Sequence, residues 1–123
     1  MLKSYQELKV WEKAYQLCLK IYGLVKNFPV EERYGLSLQL RESLLSIPSN
    51  IAEGYGRKTR GEYIHYLYIA YGSWCESETQ LLLAVDLGYI KKKEGEEILE
   101  SGKEVERMLK ALINSLEKKP SNP

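Results

Sequence analysis

A proline inside a helical pattern is the feature that most constrains how this chain can fold. Pro48 lies in the run SIPSNIAEG, and apolar residues keep helical spacing through that run. These apolar positions are Leu40, Leu44, Ile47, Ile51 and Tyr55. A proline in a helix interior removes one backbone hydrogen bond, clashes with the carbonyl four residues back and costs about 3 kcal/mol. We therefore predict one helix, from about Ser37 to Tyr55, that is kinked at Pro48.

Three polar residues lie within one turn of this predicted kink: Ser49, Asn50 and Glu53. Their side chains can donate to and accept from the backbone groups that a proline leaves unpaired. A structural role is therefore the preferred interpretation, and a ligand-binding site is the alternative.

Capping signals place the other helices. Ser4 and Glu7 have the spacing of a capping box, which predicts the start of a first helix that ends at Asn27-Phe28-Pro29. Thr59 and Glu62 have the same spacing and predict a third helix from near Arg60 to Leu87, ended by Gly88.

Glycines mark the remaining boundaries. Gly56 is expected to end the second helix in a left-handed conformation. The fourth helix is predicted from about Glu94 to Lys118, with a first turn that frays because of Gly95. The sequence thus predicts an all-α protein, an antiparallel up-down four-helix bundle in one domain at 1–119, with a disordered tail at 120–123.

The first and third helices each carry two neighbouring apolar stripes with heptad spacing. The first stripes are Val10, Ala14, Leu17, Ile21, Leu24 and Phe28 in the first helix, and Leu67, Ala70, Trp74, Ser77, Leu81 and Ala84 in the third. The second stripes are Trp11, Tyr15, Cys18, Tyr22 and Val25 in the first helix, and Ile64, Tyr68, Tyr71, Cys75, Glu78, Leu82 and Val85 in the third. Two adjacent stripes cover a wider arc than one neighbouring helix can bury, and soluble monomers rarely expose such a surface. We therefore expect a homo-oligomer.

Glu78 is unusual because it is a carboxylate within an apolar stripe. An ionised carboxylate that is buried alone is very costly, so it needs a partner or an altered protonation state. We expect that partner on the kinked helix, with Arg41, Ser49 and Asn50 as the candidates. Five tyrosines are expected near the junction of the second and third helices, either at a subunit interface or completing the core: Tyr55, Tyr63, Tyr66, Tyr68 and Tyr71.

Motifs of catalysis are missing from the sequence. Glu62 and His65 have the Glu-x-x-His spacing of di-iron bundles, but that chemistry needs two such motifs and the chain has one histidine. There is no GKS/T phosphate loop, no G-x-G-x-x-G and no G-x-S-x-G. We expect no enzyme activity, no cofactor and no metal.

Apolar runs and cysteines indicate the compartment. No apolar run approaches 18 residues, and the N-terminus lacks the apolar segment of a signal peptide. Two cysteines do not make a disulfide scaffold. The expectation is a cytoplasmic protein without a membrane segment.

The charges are balanced overall, with a formal net charge of +1, but cations concentrate at two places. Arg57, Lys58 and Arg60 precede the third helix, and Lys91, Lys92 and Lys93 follow it. In a ring, each set would be repeated around one rim and could bind nucleic-acid phosphates at many points. The alternative is that these residues are solvated connectors.

The run SIPSNIAEG belongs to a wider set of residues that resembles one known family, over about Leu8 to Tyr89. The set also contains Tyr34-Gly35-Leu36, Ala70, Gly72-Ser73, Glu76 and Glu78-Thr79-Gln80-Leu81. With these residues the chain resembles the 23S rRNA intervening-sequence proteins, also called four helix bundle proteins. The resemblance implies a small helical protein that forms a ring-like homopentamer. The chain is also similar in architecture to the accessory variability determinant of diversity-generating retroelements, a basic pentamer that partners a reverse transcriptase and nucleic acid.

Two functions remain open from these observations. The first is a non-enzymatic, homo-oligomeric nucleic-acid-binding accessory protein for structured RNA or for a reverse transcriptase or polymerase complex. The second is a protein–protein interaction scaffold without nucleic-acid binding, in which exposed tyrosines and the acidic last helix dock a partner.

Overall fold

The structure is a computed structural model that describes residues 2–119. Within them the chain forms four α-helices and two short 3-10 helices, and no strand. The α-helices are α1 (Lys9–Val25), α2 (Leu36–Tyr55), α3 (Arg60–Asp86) and α4 (Lys92–Glu117). The 3-10 helices are Tyr5–Glu7 and Val30–Glu32. The all-α prediction with four helices is confirmed, and the predicted tail at 120–123 lies outside the described residues.

The four helices form a closed bundle in which each helix contacts two others: α1 and α3 each contact α2 and α4. Short connections join successive helices, so the chain runs up and down the bundle. The segments 26–35 and 87–91 share one end, here called the upper end. The segment 56–59 lies at the lower end.

The core is formed by the first apolar stripes of α1 and α3 together with the apolar faces of α2 and α4. Its side chains that are less than 2% exposed are mostly large and apolar and come from every helix: Ile21, Leu40, Leu44, Ile47, Ile51, Leu67, Trp74, Leu81, Ile98, Val105 and Leu109. Most residues of the second stripes lie at the margin of this core, although Cys18 and Val25 are buried. Tyr15, Tyr68 and Leu82 are 44%, 50% and 49% exposed, so part of each second stripe faces solvent.

The helix starts agree with the predicted caps in one case and not in the other. Thr59 Oγ1 accepts a hydrogen bond from the Glu62 amide at 3.1 Å, so the predicted cap of α3 is confirmed. Ser4 instead caps the 3-10 helix by accepting from the Gln6 amide. The expectation that Ser4 starts α1 is wrong, because α1 begins five residues later, after Leu8, which makes no side-chain cap.

Of the two glycines predicted to end helices, one prediction is confirmed and the other is wrong. Gly88 has a φ of +81°, the left-handed conformation that glycine adopts without strain, so its predicted role at the end of α3 is confirmed. Gly56 follows α2 with a φ of −79° and a ψ of −4°. The prediction of a left-handed stop at Gly56 is wrong, because the last turn closes with right-handed geometry and hydrogen bonds from the Gly56 amide to the carbonyls of Ala52 and Gly54.

Two glycines of α4 have a packing role. A Cβ at Gly95 would lie 2.5 Å from Val85 Cγ2, and a Cβ at Gly102 would lie 1.9 Å from the Trp74 ring. Both glycines are buried. Gly95 therefore lets the start of α4 approach α3, a role that its cost in helix propensity does not reveal from sequence.

Candidate functional site

The helix α2 runs without interruption through Pro48, and its unpaired carbonyl has a partner on another helix. Pro48 has no amide hydrogen to give to the carbonyl of Leu44. The Cys18 thiol of α1 donates to that carbonyl at 3.1 Å. Burial raises the pKa of Cys18 to about 12, so the thiol keeps the proton that it donates. This contact was missed from sequence, where Cys18 is only one member of an apolar stripe.

The residues predicted to repair the kink contribute unequally. Asn50 Nδ2 donates to the Ser46 carbonyl and to Ser46 Oγ, both at 2.8 Å. Ser49 is exposed and makes no hydrogen bond with a described residue. Glu53 points to the helix end, where it forms an ion pair with Arg57 at 3.1 Å. The prediction for Ser49 and Glu53 is therefore wrong, because neither reaches the carbonyl that the proline frees.

A ladder of polar side chains joins α2 to α3. We call it the polar ladder, and it consists of Ser43, Ser46, Asn50, Ser73, Ser77 and Gln80. Ser43 donates to Gln80 Oε1 at 2.7 Å and accepts from Ser77 at 2.9 Å. The hydroxyls of Ser46 and Ser73 are 2.8 Å apart. Ser43 and Ser77 are buried, so their mutual hydrogen bond avoids the cost of an unpaired hydroxyl. The one signal in the sequence is Ser77, a polar residue in an apolar stripe.

Glu78 has its partner on α4, not on α2. Lys103 Nζ lies 3.1 Å from Glu78 Oε2 and 3.6 Å from Glu106. The prediction that Arg41, Ser49 or Asn50 pairs with Glu78 is wrong, because the second stripe of α3 faces α4 and solvent. The hydrogen bond with Glu78 and the charge of Glu106 raise the pKa of Lys103.

Glu106 links this ion-pair group to the core. Its carboxylate accepts a hydrogen bond at 2.8 Å from the ring nitrogen of Trp74, which is fully buried. Burial raises the pKa of Glu106, but the Trp74 hydrogen bond, Lys103 and Lys110 together outweigh burial, and the pKa lies below its usual value. These contacts are structural, since they hold α4 against α3.

The lower cationic segment is largely engaged within the protein. Arg57 lies over the Tyr66 ring at 4.8 Å, donates to the Tyr66 hydroxyl at 2.6 Å and pairs with Glu53. Arg60 is half-buried. Lys58 is exposed and has no ion pair among the described residues.

The upper cationic segment is different. Lys91 is the N-cap of α4, and Lys92 and Lys93 are in its first turn. All three are exposed, and none forms an ion pair within residues 2–119. The structure therefore leaves this predicted set available for a ligand.

The predicted tyrosine cluster divides into two groups. Tyr55 and Tyr63 contact each other edge to face at 6.1 Å, and Tyr66 holds Arg57, so these three lie at the α2–α3 junction as expected. Tyr68 and Tyr71 face α4, where Tyr68 donates to Glu117 and Lys110 lies 5.2 Å from the Tyr71 ring centroid.

An apolar cleft of about 230 Å³ lies between α1 and α2 on the outside of the bundle. We call it the α1–α2 groove, and its lining is Tyr15, Cys18, Leu19, Tyr22 and Leu45. Leu19 and Leu45 are 56% and 49% exposed. Across the bundle, Tyr68, Cys75 and Leu82 form an exposed row on α3, here called the α3 row.

Two kinds of site are not found in the part of the chain that the structure describes. No three of its histidine, cysteine, aspartate and glutamate residues are grouped to hold a metal ion. None of its helices is both long and apolar enough to cross a bilayer.

Comparisons with known proteins agree with the helical fold. The family model described as 23S rRNA-intervening sequence protein matches residues 6–111. A crystal structure of a protein of unknown function from the S23 ribosomal protein family of Bacteroides thetaiotaomicron is similar, with a TM-score of 0.79 and 28% identity over 85% of this chain and 95% of that one. No curated protein matches the chain. The match over most of its length shows that the chain belongs to the 23S rRNA-intervening sequence protein family.

Proposed function

We propose that this protein is a non-enzymatic, homo-oligomeric accessory protein of the cytoplasm that binds structured RNA, alone or with a reverse transcriptase. The observation that carries the proposal is the group Lys91, Lys92 and Lys93 at the upper end. It offers three exposed, unpaired cations on consecutive residues.

The position of these lysines is unfavourable for the helix that they begin. The N-terminal end of a helix carries a partial positive charge, so cations there destabilise it by about 0.3–1 kcal/mol each. No Ser, Thr, Asp or Asn caps α4, and Glu94 in its first turn can offset only part of this cost. Three lysines in such a place are better explained by an anion outside the helix, and RNA phosphates supply it.

The lower end contributes less to this surface than the sequence predicts. Arg57 already contacts a ring and a carboxylate, so it would have to leave both to bind a phosphate. Lys58 and Arg60 remain candidates there, with Lys58 the more exposed of the two.

The two exposed apolar surfaces support assembly of several subunits. The α1–α2 groove and the α3 row are different surfaces on opposite sides of the bundle. Contact between unlike surfaces of two identical subunits is head to tail, and repeated contacts of this kind form a ring when the rotation between subunits closes and an open filament when it does not. We expect five subunits from the family resemblance, with a bend of α2 at Pro48 shaping the subunit contact. In such a ring the lysines of the upper end form a collar of fifteen cations.

The family name supports the RNA proposal, because it connects these proteins with the intervening sequences of 23S rRNA. The related crystal structure carries the name of a ribosomal protein family, although its function is given as unknown. Both names associate these proteins with ribosomal RNA or the ribosome, and neither names a ligand.

The RNA proposal is tested by the salt dependence of binding to a structured RNA hairpin. Each phosphate contact should lower log K by roughly 0.7 to 0.9 per unit of log salt. Lys91→Gln, Lys92→Gln and Lys93→Gln together should weaken binding and flatten that slope, whereas Lys9→Gln, Lys20→Gln and Lys118→Gln remove the same charge from other surfaces and should do less. If the two triple variants weaken RNA binding equally, the proposal that the upper end binds RNA is refuted.

The ring proposal is tested by light scattering. The parent should give about five times 14.3 kDa. Leu19→Glu with Leu45→Glu should give a folded monomer, since both side chains are exposed within the subunit, and Val30→Glu, at a 69% exposed apolar residue away from the groove, should leave the ring intact. A parent protein that is monomeric at micromolar concentration would contradict the proposal.

The scaffold remains the second candidate, and the exposed aromatic surface favours it. Tyr34 is 81% exposed and Tyr15 44% exposed, and exposed tyrosines are frequent at protein interfaces. A parent that binds no RNA hairpin at about 50 mM salt, where charge contacts are strongest, would favour this function.

A further inference from the structure

A cleft at the upper end combines three cations that the sequence does not bring together. It has a volume of about 280 Å³ and lies between the end of α1, the 3-10 helix Val30–Glu32 and the start of α2. Lys26, Arg33 and Arg41 line it, and no acidic residue does. The three residues span 16 positions of the chain, so only the fold makes them neighbours.

The charges of this cleft are not neutralised within the protein. Neither Lys26, Arg33 nor Arg41 forms an ion pair with a described residue. Glu32, the nearest carboxylate along the chain to Arg33, accepts from the Leu36 amide at 3.1 Å and from the Tyr89 hydroxyl at 2.9 Å. Three like charges around one cleft repel one another, and an anion bound between them would remove that repulsion.

Ser37 adds a neutral hydrogen-bonding group to the lining of the cleft. It lines the same cleft, is only 4% exposed, and its hydroxyl makes no hydrogen bond with a described residue. None of the described side chains has a buried oxygen or nitrogen atom without a partner, so the Ser37 oxygen is accessible from the cleft and can donate to an acceptor there. Ser37 also belongs to the first turn of α2, where the helix dipole favours an anion.

We propose that this cleft binds a phosphate group. The guanidinium groups of Arg33 and Arg41 can each donate two parallel hydrogen bonds to phosphate oxygens, Lys26 adds a point charge and Ser37 a neutral donor. Phe28 and Val30 form an apolar wall beside the cations, which suits the organic part of a phosphate ester. The cleft shares the upper end with Lys91–Lys93, so it deepens the proposed function by adding a defined phosphate site to that surface.

The decisive experiment titrates the whole protein with inorganic phosphate by NMR at about 50 mM salt. The backbone amides of residues 33–41 should shift with saturation. In the variant with Lys26→Gln, Arg33→Gln and Arg41→Gln these shifts should disappear, while the variant with Lys9→Gln, Lys20→Gln and Lys118→Gln should match the parent. Ser37→Ala, which changes no charge, should weaken binding severalfold, and Arg41→Lys should do so as well because it loses the paired donors.

A second arm identifies the source of the phosphate. In titrations with the same structured RNA hairpin, the variant that lacks the three cations of the cleft should have a salt slope lower by roughly 2 to 3, or about 0.7 to 0.9 for each of three lost contacts, if RNA phosphates enter the cleft. An unchanged RNA slope with lost inorganic phosphate binding would assign the cleft to a small phosphate ester. Identical binding of both probes by the cleft variant and the parent would overturn the proposal. That result would leave the Lys91–Lys93 surface standing, since its own variant tests it separately.

Discussion

The contact between the Cys18 thiol and the Leu44 carbonyl predicts that two distant substitutions are energetically coupled. In the parent, Pro48 cannot donate to the Leu44 carbonyl and Cys18 does so instead, at 3.1 Å. Cys18→Ala leaves that carbonyl buried without a donor. Pro48→Ala supplies a new amide at position 48, which can make the ordinary helical bond to Leu44. The hydrogen bond from the Cys18 thiol should then contribute less to the free energy of unfolding.

The size of the effect follows from the burial of the two groups. Leu44 is fully buried and Cys18 is 6% exposed. A buried acceptor without a donor costs about 1–3 kcal/mol, and the lost sulfur adds roughly 1 kcal/mol, by comparison with one buried methylene. Cys18→Ala should therefore cost about 2–4 kcal/mol in the parent but only the packing contribution in the Pro48→Ala background. The coupling free energy between the two sites should be about 1–3 kcal/mol.

Urea unfolding at one fixed protein concentration measures all four proteins of this cycle, because an oligomer's stability depends on concentration. Cys18→Ser serves as the matched control, since a hydroxyl keeps a donor of similar size at the same place. It should cost less than Cys18→Ala. If Cys18→Ala costs the same with and without Pro48, the thiol is not the partner of the Leu44 carbonyl and our account of the continuous α2 is wrong.

Three further substitutions test single contacts. Asn50→Leu should cost about 1–3 kcal/mol by unpairing polar groups of the polar ladder, whereas Ser49→Leu, at an exposed residue one position away, should cost little in the same unfolding assay. Gly102→Ala should destabilise by roughly 1–3 kcal/mol, because the new methyl group would overlap the Trp74 ring; unchanged thermal melting would contradict this packing. The lowered pKa of Glu106 stabilises the fold above the unfolded value of 4.5, and this contribution is lost as pH falls through the folded pKa. Acid unfolding of Glu106→Gln should therefore be less steep than that of the parent.

Local signals in the sequence predicted the helices well because caps and stops act through neighbouring residues. Thr59 with Glu62, and Gly88 with its positive φ, are visible in a few consecutive letters. Ser4 shows the limit of such signals, since the same capping spacing starts a 3-10 helix when the chain turns again at Leu8.

Partners between helices could not be predicted in this way. The spacing places Glu78 on a face of α3 but does not say which helix covers that face, so its pairing with Lys103 was missed. The same holds for the cleft of Lys26, Arg33 and Arg41, where no two cations are adjacent in sequence. Conversely, the sequence suggests that Arg57 is a free cation in a connector. In the structure it lies on the Tyr66 ring and pairs with Glu53.

The polar ladder also determines how α2 and α3 can move relative to each other. Apolar side chains tolerate sliding because contact with one methyl group is much like contact with the next. Paired hydroxyls do not, and a slide by one helical turn, about 5.4 Å, would separate Ser43 from Ser77 and Ser46 from Ser73 together. The two pairs therefore oppose sliding of α2 along α3, and the 27 residues of α3, or about 40 Å, set the distance between the upper and lower ends. A single partner that contacts both ends of one subunit must itself extend over about that distance.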